Sequence, residues 1–523
     1  MPELPLNPQS TIPVSSKPRV IRNVASNWGA YVLAMGVNFF LSPFVVHHLG
    51  NNEYGVWTLI LSLTGYLGLL DLGVRGAVTR FVAKFHSQAD HKNASNVASS
   101  AMLIFSSAGL IAFLASVVFA TLIVGRLNIP PQYLAASRIV LVITGLSIAA
   151  SLVNGVFGGI LVGLQRFDIS NGIEIAISLL RAFTIVLFLH LGYGIVTLAL
   201  IQLGFTLGRL AANVSMARHL YPELQIKPTF ADRAGTKLIF SFSVFSFLMH
   251  VSASLIYASD NVVIGAFLPV SAVTFYAIGG NLAEYTRTLV AAISQTMTPL
   301  ASSTEAKKDY ALMEKIVLFG SRAGTMVVLP VALTLMIRGS TFIGLWMGPE
   351  YAELSGMVIR ILSLTLVLWA ANSVTGGILL GLSKHKPIVP MLMAEGVCNL
   401  ALSILLVRRM GIVGVAWGTV IPSAASTLVF WPWYIRRVFG LHPLTYAISA
   451  WVRPLLAVTP FALATCAVER YWPAEHLIAF FSQVALMLPL ALAGYWLVCL
   501  DGHQREEYSR GISKSLARAF ARG

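Results

Sequence analysis

Long apolar stretches separated by short polar breaks dominate the chain. Runs near ~20 residues match what an α-helix needs to cross the hydrocarbon core of a bilayer. Read this way, the pattern predicts membrane helices at about 25 to 46, 56 to 80, 96 to 124, 138 to 163, 168 to 190, 194 to 217, 238 to 267, 272 to 299, 313 to 337, 354 to 382, 388 to 407, 412 to 435, 447 to 467 and 477 to 499. The expected fold is therefore an all-α polytopic membrane protein of about fourteen helices. Residues 1 to 24 are polar, and Lys17, Arg19 and Arg22 precede the first apolar run without the short apolar core and cleavage site of a signal peptide. They read as a retained cytoplasmic tail.

Composition agrees with the pattern. The chain has 523 residues, 56% hydrophobic and 11% charged, whereas soluble domains carry about 25% charged residues. A peripheral or single-pass protein is excluded. The net charge of +15 points to cytoplasmic loops facing anionic lipid, because the basic residues are dispersed and form no nucleic-acid patch. With both termini inside, 24 basic residues fall on cytoplasmic segments and six outside: Arg126, Arg138, Arg338, Arg408, Arg409 and Arg470. Arg408 and Arg409 fit this arrangement least well. Cys398, Cys466 and Cys499 lie in apolar runs without metal-ligand spacing, so neither a disulfide framework nor a metal site is expected.

The chain also matches itself. Asn154-Gly-Val-Phe-Gly-Gly159-Ile-Leu-Val-Gly163-Leu returns 218 positions later as Asn372-Ser-Val-Thr-Gly-Gly377-Ile-Leu-Leu-Gly381-Leu, and Gly194-Ile-Val returns as Gly411-Ile-Val. Six helices separate equivalent positions, and six is even, so the two halves run in the same direction, as a parallel repeat. The expected organisation is an N-lobe at 25 to 217, a cytoplasmic linker at 218 to 237 and a C-lobe at 238 to 436. Two further helices at 447 to 500 and a basic tail at 501 to 523 follow. The spacings Gly159-xxx-Gly163 and Gly377-xxx-Gly381 read as close helix packing more than as ligand contacts.

Residues 38 to 85, with Leu49-Gly50, Glu53-Tyr54-Gly55, Asp71-Leu72-Gly73 and Arg80, resemble the Wzx-type polysaccharide flippase family. That family belongs to the wider superfamily that includes the MATE exporters and the MurJ lipid II flippases. The resemblance covers the helix count, the two-lobe repeat and most of the chain. It implies a bacterial inner-membrane protein that moves undecaprenyl-pyrophosphate-linked oligosaccharide to the periplasmic leaflet by alternating access around a central cavity. It also implies a groove for a lipid tail bordered by the last two helices. A polysaccharide polymerase and chain-length proteins become candidate partners.

A pyrophosphate crossing ~30 Å of hydrocarbon needs cationic, bidentate partners, and arginine supplies them while staying charged in poor solvent. Arg181, Arg209, Arg287 and Arg322 fall within predicted helices and are the substrate-binding candidates. Arg360 and Arg453 lie nearer predicted helix ends and are read as snorkelling. Glu284, Asp260, Glu174 and Glu395 are candidates to neutralise those arginines or to couple transport to H⁺ or Na⁺. Glu284 and Arg287 are spaced i,i+3 and Asp71 and Arg75 i,i+4, so each pair shares a helix face. Glu174 and Arg181 align after two turns. The run Asn281-Leu-Ala-Glu284-Tyr is similar to a polar stretch of the eighth helix in MurJ-like flippases, which implies that Glu284 faces the cavity. Asn154 and Asn372, equivalent in the two halves, together with Asn281, Asn27 and Asn38, are amides that can bind sugar hydroxyls or bridge helices. Asp71, Arg75 and Arg80 are candidates for a cytoplasmic gate, against their ordinary positive-inside role. The tail from Arg505 to Arg522 reads as a basic amphipathic surface anchor.

Two rivals remain open at this point. A MATE-like exporter of organic cations is favoured by a net acidic cavity, and the membrane arginines argue against it. A membrane glycosyltransferase or polymerase needs acidic or histidine chemistry on a large outer loop, and the longest expected here is about 339 to 353. No Gly-rich nucleotide loop appears either. A transporter without cofactor is the expectation.

Overall fold

In the computed structural model, residues 17 to 502, 504 to 506 and 509 are described. The side chain of Asn27 and the tail from 510 onward lie outside the described residues. The helices are α1 (Lys17–Gly65), α2 (Val74–Ser87), α3 (His91–Leu122), α4 (Pro131–Gly163), α5 (Phe167–His190), α6 (Ile195–Leu220), α7 (Arg233–Tyr257) and α8 (Ser259–Phe267). They continue as α9 (Ser271–Ala306), α10 (Tyr310–Met347), α11 (Leu354–Gly381), α12 (Ile388–Ala425), α13 (Trp431–Phe439), α14 (Pro443–Ala447), α15 (Arg453–Tyr471) and α16 (Leu477–Gly494). No strand occurs among the described residues.

Eleven helical runs among the described residues are long and apolar enough to cross a membrane. Two of them, Val32–Ser87 and Ile388–Phe439, each span two of the helices expected from sequence, and α9, which carries Asn281, Glu284 and Arg287, is not among the eleven. The chain is a multi-pass membrane protein. Helix α1 already begins at Lys17, inside the stretch expected as a tail. Pro18 then falls in the first turn, where a missing amide costs nothing. Helix α10 runs on to Met347, so most of the expected outer loop at 339 to 353 is helical.

The region read as the last pair of the C-lobe is a hairpin. Helix α12 is interrupted at Gly411, whose φ of 59° lies in the left-handed region that glycine adopts without strain. Beyond that point a Cβ on Gly418 would stand 2.8 Å from the Ser403 backbone nitrogen, and one on Gly414 2.7 Å from the Leu406 carbonyl carbon. Asn399 Nδ2 donates to Thr419 Oγ1 at 3.0 Å. Positions 399, 403 and 406 thus face 419, 418 and 414, which is the register of two antiparallel helices.

Two compact units share the chain. The first takes residues up to His48, Leu70–Val117 and Val142–Val244; the second takes Leu49–Leu69, Val118–Leu141 and the chain from Phe245. This differs from the expected lobes because the ends of several helices are held by the later half of the sequence. Thr274 Oγ1 donates to the Asn51 carbonyl at 2.7 Å, Asn261 Nδ2 to Ser62 Oγ at 3.0 Å, and Asn128 N to the Gly265 carbonyl at 3.2 Å.

Within each unit the repeated residues do the same job. In the first, Gly159 and Gly163 lie against α2, where a Cβ would come within 3.2 Å of the Arg75 carbonyl and 2.9 Å of the Thr79 carbonyl. In the second, Gly377 and Gly381 lie against α9: a Cβ on Gly377 would stand 2.7 Å from the Ser294 carbonyl, and one on Gly381 closer still to that of Thr298. Backbone atoms cannot yield as side-chain ends do, so these four positions need glycine for steric reasons. Asn154 accepts from Asn213 Nδ2 on α6 at 2.8 Å, and Asn372 Nδ2 donates to Thr427 Oγ1 at 2.9 Å. The fourth helix of each repeat is tied by small residues to one neighbour and by an amide to another.

The second unit also holds α15 and α16, which pack on α10 through Leu329, Val458, Phe461, Met487 and Tyr495.

Gly377→Ala and Gly163→Ala each force a Cβ into a carbonyl and should cost about 1–3 kcal/mol. In detergent their melting temperatures should fall by several degrees relative to wild type. Gly204→Ala, which meets nothing within 4 Å, should leave the melting temperature unchanged or slightly raised.

Candidate substrate and ion sites

A charged side chain on a membrane helix is stable only against a partner or against water. In the first unit Arg209 Nη1 of α6 donates to Glu174 Oε2 of α5 at 2.9 Å. The arginine is 29% and the glutamate 50% exposed. Arg181 lies within electrostatic reach of both. The sequence expectation paired Glu174 with Arg181 on one helix; the hydrogen bond instead crosses to the next helix, because α5 and α6 form a hairpin that brings 174 and 209 together. Arg209 Nε is buried and has no partner among the described residues.

In the second unit Arg287 Nε donates to Glu284 Oε2 at 2.9 Å, the i,i+3 pair expected from spacing. The guanidinium also stacks over the Tyr257 ring at 4.1 Å. Glu284 is 60% exposed and Arg287 13%. Asn281, one turn earlier, lies beside the hydroxyl of Tyr54. Both ion pairs are incompletely covered by the protein.

Arg322 is not gathered with them. It is buried, its Nε donates to Ser449 Oγ at 3.3 Å and its Nη1 to the carbonyl of Cys499, so its donors close the ends of the helices that pack on α10. Arg338, counted from sequence among the outer basic residues, is fully buried. Its Nε donates to Glu469 Oε2 at 2.8 Å and its Nη2 to Gln483 Oε1 at 2.6 Å, while Thr341 caps the same glutamate. This network joins α10, α15 and α16 and consists of residues that no local spacing connects.

Asp260 is 3% exposed on α8. Its Oδ2 accepts from the hydroxyls of Tyr276 on α9 and, at 3.0 Å, Thr419 on α12. Thr419 in turn accepts from Asn399. Asp260 Oδ1 and Asn399 Oδ1 are buried without a partner among the described residues. The result is an all-oxygen cluster with open acceptors, the donor set that suits a proton or a hard monovalent cation. Asp260 was legible as a polar residue in an apolar run; Tyr276, Asn399 and Thr419 carried no signal apart from it. Glu395 lies elsewhere, in a cavity with Asn372, Ser423 and Ser426.

Of the gate candidates, Asp71 precedes α2, Arg75 lies in its first turn and Arg80 in its middle. Asp71 and Arg75 are 4.0 Å apart and 30% and 54% exposed, a weak pair. Arg80 is exposed and lies 5.7 Å from the Phe81 ring centroid.

Repeated helices held by small residues and amides, with partly exposed arginine–glutamate pairs and an enclosed carboxylate, define a polytopic membrane protein whose polar groups are contributed by many helices. The sequence profile of the polysaccharide biosynthesis protein family matches residues 20 to 305, more than half of the chain, and the chain belongs to that family. Membrane protein EpsK of Bacillus subtilis strain 168 is 23% identical over 91% of this chain and 95% of its own length. A protein of Shigella flexneri named for O-antigen transport is 22% identical over 81% of this chain and 99% of its own. Among solved structures, the lipid II flippase MurJ in an inward closed conformation is similar with a TM-score of 0.70, at 15% identity over 91% of this chain and 98% of its own. An inward-facing multidrug resistance MATE family transporter of the MOP superfamily is similar with a TM-score of 0.65, at 17% identity over 79% and 94%. The fold is that of the MATE and MurJ transporters.

Arg338→Met leaves Glu469 without its cationic partner and should destabilise the protein by about 3–5 kcal/mol. Thermal unfolding in detergent should show this loss, and the double variant Arg338→Met with Glu469→Gln should recover a substantial part of it.

Proposed function

We propose that the protein is a flippase that carries undecaprenyl-pyrophosphate-linked oligosaccharide from the cytoplasmic to the outer leaflet of a bacterial inner membrane, for O-antigen, capsule or exopolysaccharide assembly. In this reading both termini are cytoplasmic, and the protein transports its substrate without transforming it. Membership of the polysaccharide biosynthesis protein family supports this reading, as does likeness to proteins named for O-antigen transport and lipid II flipping. The observation that carries it is the state of the membrane arginines: Arg209 and Arg287 are each held by a single exposed glutamate. Each guanidinium has five donors in a planar fork, and one carboxylate uses few of them. An arriving pyrophosphate gains bidentate hydrogen bonds that outmatch the glutamate, and the glutamate keeps the arginine oriented and neutralised between cycles. Arg181 adds positive charge beside the first pair. With each pair bordering a hydrated path, the headgroup would exchange hydration for protein contacts without entering hydrocarbon.

Ion coupling is assigned to Asp260. A bound Na⁺ or proton would neutralise its carboxylate, with Asn399 and Thr419 supplying neutral oxygens. Since Asp260 links α8, α9 and both arms of α12, occupancy changes how these helices are held together, which is what coupling requires. A polymerase and chain-length proteins would receive the product on the far side.

The test is a leaflet-resolved assay with the full-length protein in liposomes and a short undecaprenyl-pyrophosphate oligosaccharide. Wild type should move the lipid, and Arg209→Ala and Arg287→Ala should each slow it about 10-fold or more, the effect of losing a charge-assisted hydrogen-bond partner. Wild type that moves no lipid-linked sugar but exports a cationic dye down an ion gradient would replace the flippase with an exporter. In the same vesicles, Asp260→Asn should abolish the stimulation of flipping by an imposed Na⁺ or proton gradient. Retained stimulation in that variant would remove Asp260 from coupling.

A further inference from the structure

The second unit contains a cavity of about 400 Å³ lined by α7, α9, α11 and α12, within the ~300–1,000 Å³ range of small-molecule sites. Its walls include the rings of Tyr257, Trp369 and Trp431, the amide of Asn372, the carboxylate of Glu395 and the hydroxyl of Thr427. We propose that this cavity is a saccharide subsite, taking one or two glycosyl residues of the lipid-linked oligosaccharide. The proposal rests on the flippase reading and specifies which part of the substrate this unit recognises.

Asn372 is 4% exposed, and its Nδ2 is committed to Thr427 Oγ1 at 2.9 Å. Its Oδ1 is buried and has no partner among the described residues. A buried acceptor left without a partner carries a penalty that a ligand hydroxyl removes once the amide turns toward the cavity. Glu395 supplies two more acceptor oxygens on the same cavity wall, and Ser423 and Ser426 add hydroxyls. The walls therefore ask for hydrogen-bond donors and for flat apolar surface together.

The three parts of a lipid-linked oligosaccharide can be compared against that demand. A pyrophosphate would meet Glu395, and among the described residues the lining holds no lysine or arginine. An isoprenoid tail would leave the Asn372 oxygen without a donor and would press apolar surface against the Glu395 carboxylate, whose partners among the described residues are the Ser423 and Ser426 hydroxyls. A sugar offers hydroxyl donors at its rim and C–H faces for the indole rings, so it fits both. A quaternary cation suits the rings and Glu395 but cannot donate to Asn372.

Position supports the same assignment. Tyr257 lines the cavity and also carries the Arg287 guanidinium on its ring at 4.1 Å. Arg287 is a proposed pyrophosphate contact, and the first sugar of the substrate is bonded directly to that pyrophosphate. With the pyrophosphate at Arg287, the sugar next to it falls on the Tyr257 side, at the cavity wall. A site for the phosphate and a site for the sugar are thus adjacent, in the order that the substrate requires.

The experiment compares two probes on the full-length protein in nanodiscs: undecaprenyl pyrophosphate, and the same lipid carrying a neutral disaccharide. Wild type should bind the disaccharide form at least 10-fold tighter. Glu395→Gln, Asn372→Ala and Trp369→Leu should each cut that advantage to 3-fold or less. Affinity for the sugar-free lipid, which has no group for the cavity, reports that each variant is folded. Variants that keep the full advantage overturn the subsite and leave the flippase reading standing. Equal wild-type affinity for both probes, with tetraphenylphosphonium binding that depends on Glu395, also overturns it and makes the cavity a cation site. Wild type that binds neither lipid overturns the flippase reading and the subsite with it.

Discussion

Hydrocarbon offers no hydrogen bonds, so each polar group on a membrane helix must be met by another helix or by water. That constraint sorts the polar residues of this chain into two kinds. Asn154, Asn213, Thr427 and Arg338 are buried and spent on neighbouring helices. Arg209, Glu174, Arg287 and Glu284 are paired but left partly open. The first kind holds the fold together, and the second keeps surface that the protein itself does not cover. Small residues add a second tie on the same helices, since Gly159 and Gly163 meet α2 while Asn154 bridges to α6.

The same constraint explains what was legible from sequence. Hydropathy located most of the helices, because in lipid the requirement falls on every residue of a span, but eleven apolar runs among the described residues, rather than fourteen, are long enough to cross, and the polar α9 is not one of them. The internal repeat and its glycines were visible, and they proved to be contacts with carbonyls on α2 and α9. The Glu284–Arg287 pair followed from helical spacing. Partners distant in sequence did not. Glu174 pairs across the turn between α5 and α6 with Arg209, 35 residues away. Arg338 looked like an outer loop residue because neither Glu469 nor Gln483 is near it in the chain. For the same reason the ligand-like surroundings of Asp260, contributed by α9 and α12, could not be seen from its own apolar run.

Two polar constellations of the second unit differ in chemistry and so in assigned role. Around Asp260 the groups are buried hydroxyls and an amide, with the Asp260 and Asn399 oxygens left without partners among the described residues. Around Asn372 and Glu395 there is volume, aromatic surface and an open amide acceptor. The Asp260 cluster and the Asn372 cavity draw on adjacent turns of α12, the helical hairpin closed at Gly411, four residues apart on each arm. Its arms hold Asn399 and Thr419 for one and Glu395 and Ser423 for the other. A displacement of this hairpin would be felt at both, which gives ion binding a short physical route to substrate binding.

The division between spent and open polar groups is measured most directly by the access of water. In a background with Cys398, Cys466 and Cys499 replaced by serine, single cysteines at positions 209, 284, 338 and 322 would be treated with a membrane-impermeant thiol reagent in vesicles. Arg209→Cys and Glu284→Cys should react and should be protected by undecaprenyl-pyrophosphate oligosaccharide, while Arg338→Cys and Arg322→Cys should not react in folded protein. Labelling at 338 and 322 as fast as at 209 and 284, or no protection by the lipid-linked sugar, would contradict the account.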